Sequence, residues 1–109
     1  MMTLREVCNS LGVSRRVVQG YEKVGLVVSS GKNKYGNLLY DEVAVEKIHC
    51  IKQYQDFGFK VKEIAELMKA TDDVYVEMMS KRLEIMKVQL NSLVTNIELA
   101  EKILIEKQK

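Results

Sequence analysis

Arg15, Gln19 and Lys23 recur at i, i+4 and i+8, with Arg16 beside them. At about 100° per residue these positions share one side of a helix and would present a row of long hydrogen-bond donors. Guanidinium, carboxamide and ammonium groups arranged in this way reach base edges and phosphates in the major groove of double-stranded DNA. They do not break bonds. An enzyme would need a nucleophile with its base, or a metal, and the sole histidine, His49, offers neither. It adjoins Cys50, but neighbours on a helix point about 100° apart and do not converge on one ion. His49 is therefore expected on a helix face and Cys50 in the core, with no catalytic residue, no metal and no cofactor.

The elements that must hold that row are legible on either side of it. Val17, Val18, Tyr21 and Val24 are expected on the back of the same helix, facing the core. Ser14 is a good N-cap, and Gly25 suits the left-handed stop after the last turn. Upstream, Thr3-Leu4-Arg5-Glu6 matches the capping box, and Leu4, Val7, Cys8 and Leu11 form the stripe of a short first helix that Gly12 ends. Two short helices joined by a tight glycine turn, the second with a basic face, make a helix-turn-helix. The plain alternative is that any surface helix carries charge on its wet side.

Downstream, Val27-Val28 and Leu38-Leu39-Tyr40 are suited to strands. The turn formers of Ser29–Asn37 lie between them, so a small β-hairpin is expected with Lys32, Lys34 and Tyr35 at its tip. Asp41 should cap a third helix running to about Phe57, with Val45, Ile48, Ile51 and Tyr54 inward and Gly58 as its stop. A fourth, from about Val61 to Lys69, would bury Ile64, Leu67 and Met68. Lys60 and Lys62 stand at its start, where the helix dipole disfavours cations unless a polyanion lies opposite.

Thr71-Asp72-Asp73 opens the last helix, and no Gly or Pro interrupts it before Lys109. Val76, Met79, Leu83, Met86, Leu90, Leu93, Ile97, Ala100 and Leu104 follow at alternating spacings of three and four, a sustained heptad seam. Such a helix spans roughly 55 Å, far more than a domain of about 70 residues can cover, so its seam needs a second copy. Ile85, Val94, Leu99 and Ile103 widen the apolar surface and are expected also to support the globular part. A membrane-surface helix would want a basic polar face, whereas residues 71–109 carry six Lys/Arg against seven Asp/Glu.

Charge and composition agree with this division. Residues 1–70 carry eleven Lys/Arg against eight Asp/Glu, and residues 14–39 carry five against one. The cationic excess thus falls on the donor helix and the hairpin. With 47% apolar residues, no Trp and no Pro in 109 residues, the chain can bury a core built mainly of helices. Two cysteines, Cys8 and Cys50, are too few for a disulfide framework and are expected reduced in the core of a cytoplasmic protein. No apolar run is long enough to cross a membrane, and no signal-peptide pattern opens the chain.

The order of these parts resembles the MerR family of bacterial transcription regulators over nearly the whole chain. That family carries a pattern close to V-S-x-R-T-L-R-Y-Y-E-x-x-G-L, which Val13, Ser14, Arg16, Tyr21, Glu22, Gly25 and Leu26 match. Its wing ends N-G-Y-R-x-Y, matched by Gly36 and Tyr40, and Phe57-Gly58-Phe59 followed by Glu63-Ile64-Ala65-Glu66-Leu67 resembles its L-G-F-S-x-x-E-I-x-x-L. There are departures. Gln19-Gly20 replaces an Arg-Tyr pair inside the second helix, and Asn37-Leu38 replaces Tyr-Arg in the wing. Residues 59–109 contain neither Cys nor His, which excludes thiolate or imidazole metal sensing where many such regulators hold a metal. The resemblance implies a short member without a separate effector-binding domain.

The expectation is an all-α winged helix-turn-helix over 1–70, completed by a second helix pair, and a long dimerisation helix over 71–109. It would bind double-stranded DNA as a homodimer at a roughly palindromic promoter site, antiparallel as the resemblance implies. The resemblance further implies bending or underwinding of the promoter, with RNA polymerase as a partner. Ser14, Arg15, Arg16, Gln19, Tyr21, Lys23, Lys32, Lys34, Tyr35, Tyr40 and Lys60 form the expected DNA-binding set. Arg15, Arg16 and Gln19 take bases or nearby phosphates; Lys23, Lys32, Lys34, Tyr35 and Lys60 take the backbone. Tyr21 and Tyr40 are expected to pack beneath the DNA face with an occasional phosphate contact. Two other readings stay open: an architectural or excisionase-like DNA-binding factor, and a coiled-coil adaptor whose DNA contacts have weakened.

Overall fold

Local capping chemistry sets most of the helix starts. In the computed structural model, which describes residues 1–109, α1 (Leu4–Leu11) opens on the expected capping box. Thr3 Oγ1 accepts from the Glu6 N–H at 3.3 Å, and Glu6 Oε1 accepts from the Thr3 N–H at 3.1 Å. Gly12 closes the helix at φ 65°, a left-handed conformation that glycine adopts without strain. Two residues later Ser14 starts α2 (Arg15–Lys23), its Oγ accepting from the Val17 N–H at 3.1 Å. Asp41 starts α3 (Glu42–Asp56) by accepting from the Ala44 N–H at 2.8 Å, a bond that also holds its carboxyl below the ordinary value. α4 (Val61–Lys69) and α5 (Asp72–Gln108) complete the helices. Thr71 is extended, as a cap should be, but its side chain makes no capping bond, so the favourable end chemistry of α5 comes from Asp72 and Asp73.

The wing is a hairpin, but not between the strands expected. β2 is Gly31–Lys32 and β3 is Leu38–Tyr40, paired antiparallel with Lys32 opposite Leu38. The turn decides this. Asn33 N–H donates to the Asn37 carbonyl at 2.9 Å, and Gly36 N–H returns to the Asn33 carbonyl at 3.0 Å. Asn33 Oδ1 takes the N–H groups of Tyr35 and Asn37 as well. A loop closed this tightly pairs the residues flanking it, so Val27-Val28 is not a strand; Val27 packs into the core instead and Val28 is exposed. A third strand, β1 (Met2–Thr3), adds to the far side of β3 with Met2 opposite Tyr40, giving the order β1-β3-β2.

The chain divides into two compact units, Met1–Lys69 and Ala70–Lys109. In the first, Leu4, Val7, Val18, Tyr21, Val27, Tyr40, Ala44, Ile48, Ile51, Phe59, Ile64 and Leu67 are buried. Several expected core residues are not. Val17 and Val24 are exposed, because nine-residue α2 buries only Val18 and Tyr21 and Val24 lies just past its end. The inward stripe of α3 is Ala44, Ile48 and Ile51, with Val45 and Tyr54 half-buried at its edges. Met68 is exposed at the end of α4, and Cys8 and Cys50 are free and only half-buried. In the second unit α5 buries no residue, and no helix of the chain is long and apolar enough to cross a membrane.

Candidate nucleic-acid interface

Tyr21 and Val18 anchor one side of α2, which leaves Arg15, Arg16, Gln19 and Lys23 exposed as the spacing requires. The Ser14 cap fixes where the first turn begins and so fixes the rotation of these four side chains. Beside them, Arg15 and Gln19 line a groove of about 440 Å³ with Thr3, Leu4, Arg5, Gly36, Asn37 and Leu38. The groove sets the first turn of α1, the front of α2 and the turn of the wing around one concavity. Arg5 belongs to this cationic face although nothing in its own segment marked it. Only the packing of α1 and the pairing of β1 with β3 bring it there.

At the wing, Lys32, Lys34 and Tyr35 are exposed, and Lys34 Nζ lies 5.1 Å from the centroid of the Tyr35 ring. That cation–π contact holds an ammonium and a phenol together at the tip, a pair suited to phosphate and sugar. Lys60 is exposed immediately before α4, its N–H taken by Glu63 Oε1 at 3.0 Å.

The two tyrosines behave differently from the rest of the expected set. Tyr21 is buried and its hydroxyl donates to Gln55 Oε1 on α3; Tyr40 is buried and its hydroxyl donates to Glu22 Oε1 on α2. A phenol has one proton, and a phosphate accepts but does not donate. In this structure those protons are committed to internal bracing, which accords with the expected packing of Tyr21 and Tyr40 beneath the face. Burial, reinforced by Asp56, raises the Tyr21 pKa. Burial and then the bond to Glu22 raise that of Tyr40 further.

His49 is exposed on α3, and Cys50 Sγ donates to Glu46 Oε1 at 3.7 Å on the same helix. Burial pushes the Cys50 thiol pKa up, the direction opposite to that of a reactive thiolate.

Along α5 most of the seam is exposed within the single chain, with Met79 and Met86 half-buried. Val76, Leu83, Leu90, Leu93, Ile97 and Leu104 are each 47% to 61% exposed. Ile85, Val94, Leu99 and Ile103, which widen this apolar surface, are exposed as well.

A helix pair with a cationic second member, a wing and a following helix pair define a winged helix-turn-helix protein. Residues 2–71 match the model of the MerR HTH family of regulatory proteins, and the chain belongs to that family. It is 29% identical over 85 residues to the nodulation protein NolA of Bradyrhizobium elkanii, a match covering 78% of this chain and 38% of that protein. It is 30% identical over 67 residues to the mercuric resistance operon regulatory protein of Bacillus cereus, covering 62% and 51%. The chain thus spans about half or less of these relatives' length. Its fold is that of a MerR-family transcriptional regulator from Bacillus cereus (TM-score 0.82, 19% identity, 99% of this chain and 83% of that one). HiNmlR, a MerR-family regulator lacking the sensor domain and bound to promoter DNA, is also similar (TM-score 0.75, 22% identity, 98% and 90%).

Proposed function

We propose that the chain is a sequence-specific, double-stranded-DNA-binding transcription regulator that acts as a homodimer on a roughly palindromic promoter site. The observation that carries this is the capped helix α2, whose four long donors stand exposed beside a wing bearing Lys32, Lys34 and Tyr35. Arg15, Arg16 and Gln19 reach bases or nearby phosphates. Arg5, Lys23, Lys32, Lys34, Tyr35 and Lys60 grip the backbone and set the register. Membership of the family, and the likeness to a fold captured on promoter DNA, support the same reading.

Residues 1–70 are the DNA-binding part and 71–109 the dimerisation part, joined to a second copy through the seam on α5. The family resemblance implies that the two copies of this helix run antiparallel. Two recognition helices held at a fixed separation then meet successive major grooves, which is what a palindromic site requires. Bending and underwinding of the promoter, with RNA polymerase alongside, is the mode of action that the family resemblance implies.

The test is an unbiased selection of bound genomic fragments at a stated salt concentration, since phosphate contacts make affinity strongly salt-dependent. One promoter-overlapping site per bound region supports the regulator. Several phased sites would favour an architectural factor, and no selected duplex at low salt would favour an adaptor built on α5.

A further inference from the structure

The exposed side of α2 is not purely cationic. Val17 is 38% exposed in its first turn, and Gly20 follows at i+3 on the same side. Nothing inside the chain asks for glycine at position 20. Its backbone is ordinary helix, and a Cβ built there meets no atom within 4 Å. Glycine in a helix interior is among the least favourable residues, so its presence without an internal reason directs attention to what lies outside. Helical side chains lean towards the N-terminus, over the residues three and four positions earlier. A side chain at position 20 would therefore lie across Val17 and Arg16, and glycine leaves the Val17 methyl groups bare.

We infer that Val17 and Gly20 form a low apolar seat on the recognition helix that reads the C5 methyl group of a thymine, making Val17 a specificity-determining residue. This rests on the DNA-binding reading above. In the major groove only thymine, among the unmodified bases, offers a methyl group, and a small apolar side chain is its natural partner. Arg16 on one side and Lys23 a turn further on supply the polar contacts that bring the helix close, and the bare glycine lets the backbone approach without a clash. Glycine where the family pattern carries tyrosine thus leaves the Val17 methyl groups open to a base methyl.

The experiment uses the full chain and the operator found by genomic selection, with each thymine of a half-site replaced in turn by uracil, which differs only by that methyl. Binding should weaken about fourfold at one position, the weight of a single buried methyl group. Val17→Asn, which replaces the apolar side chain with a polar one, should bring the uracil and thymine duplexes to equal affinity, and Gly20→Gln, which lays a polar chain over Val17, should do the same. Lys34→Ala should keep the preference while weakening both duplexes. Indifference of the native chain to uracil at every position would overturn the seat while leaving DNA binding intact, as would a preference that survives Val17→Asn. A chain that selects no duplex at all overturns the underlying reading and the seat with it.

Discussion

The Tyr40 hydroxyl donates its proton to Glu22 Oε1, tying the last residue of β3 to the last turn of α2. One hydrogen bond thereby links the wing to the recognition helix, and Tyr21 to Gln55 links that helix in turn to α3. The two sides of the proposed DNA-binding face are thus braced by buried tyrosines.

Tyr40→Phe removes the donor and leaves a half-buried carboxylate short of a partner. The expected cost is about 0.5–1.5 kcal/mol of stability, the net worth of a hydrogen bond whose acceptor can still reach water. Urea denaturation measures it. Glu22→Gln keeps an acceptor in place and should cost less than Tyr40→Phe; equal losses would mean that the bond has no part in the cost.

The same phenols set an alkaline limit. Both tyrosines have raised pKa values, mainly through burial. The native state therefore keeps protons that the unfolded chain releases near pH 10. Stability from this source is complete below about pH 10 and is lost as pH rises above it. Melting temperatures recorded between pH 8 and pH 11.5 should fall at the upper end, and less steeply in Tyr40→Phe.

Gly20→Ala should stabilise the fold by about 1 kcal/mol, because position 20 is ordinary helix with open space around it. Gly36→Ala should do the reverse, since its φ of 80° strains any residue with a Cβ. Opposite shifts in thermal midpoint are the expected pair of results.

Arg16→Ala should cost about 1–3 kcal/mol on the selected operator and relax preference for one base pair. Lys34→Ala should weaken specific and random duplexes alike and lower the salt slope by about one. Competition binding at several salt concentrations separates them, and equal losses on both kinds of duplex for both variants would refute the division of labour.

Leu93→Asp places a charge in the middle of the seam of α5, where the single chain buries nothing. Sedimentation equilibrium should then show a monomer with the helices of the first unit intact by hydrogen exchange. Operator binding should fall by orders of magnitude, because two half-sites are no longer engaged together.

Chain order and near-neighbour chemistry already settled a good part of this protein. Thr3 with Glu6, Ser14 and Asp41 mark helix starts, and Gly12 and Gly25 mark stops, because a cap is a bond or a dihedral within a few residues. The donor row of α2 and the seam of α5 are equally local, since each is a consequence of helical period alone. The tertiary structure decided what depends on distant partners. It paired β3 with Gly31–Lys32 and with Met2–Thr3, turned Val17 and Val24 outward, drew Arg5 towards Arg15, and gave the protons of Tyr21 and Tyr40 to Gln55 and Glu22. Periodicity says which residues share a side; only packing against the remaining elements says which side is inward, and which polar groups are used up in holding it there.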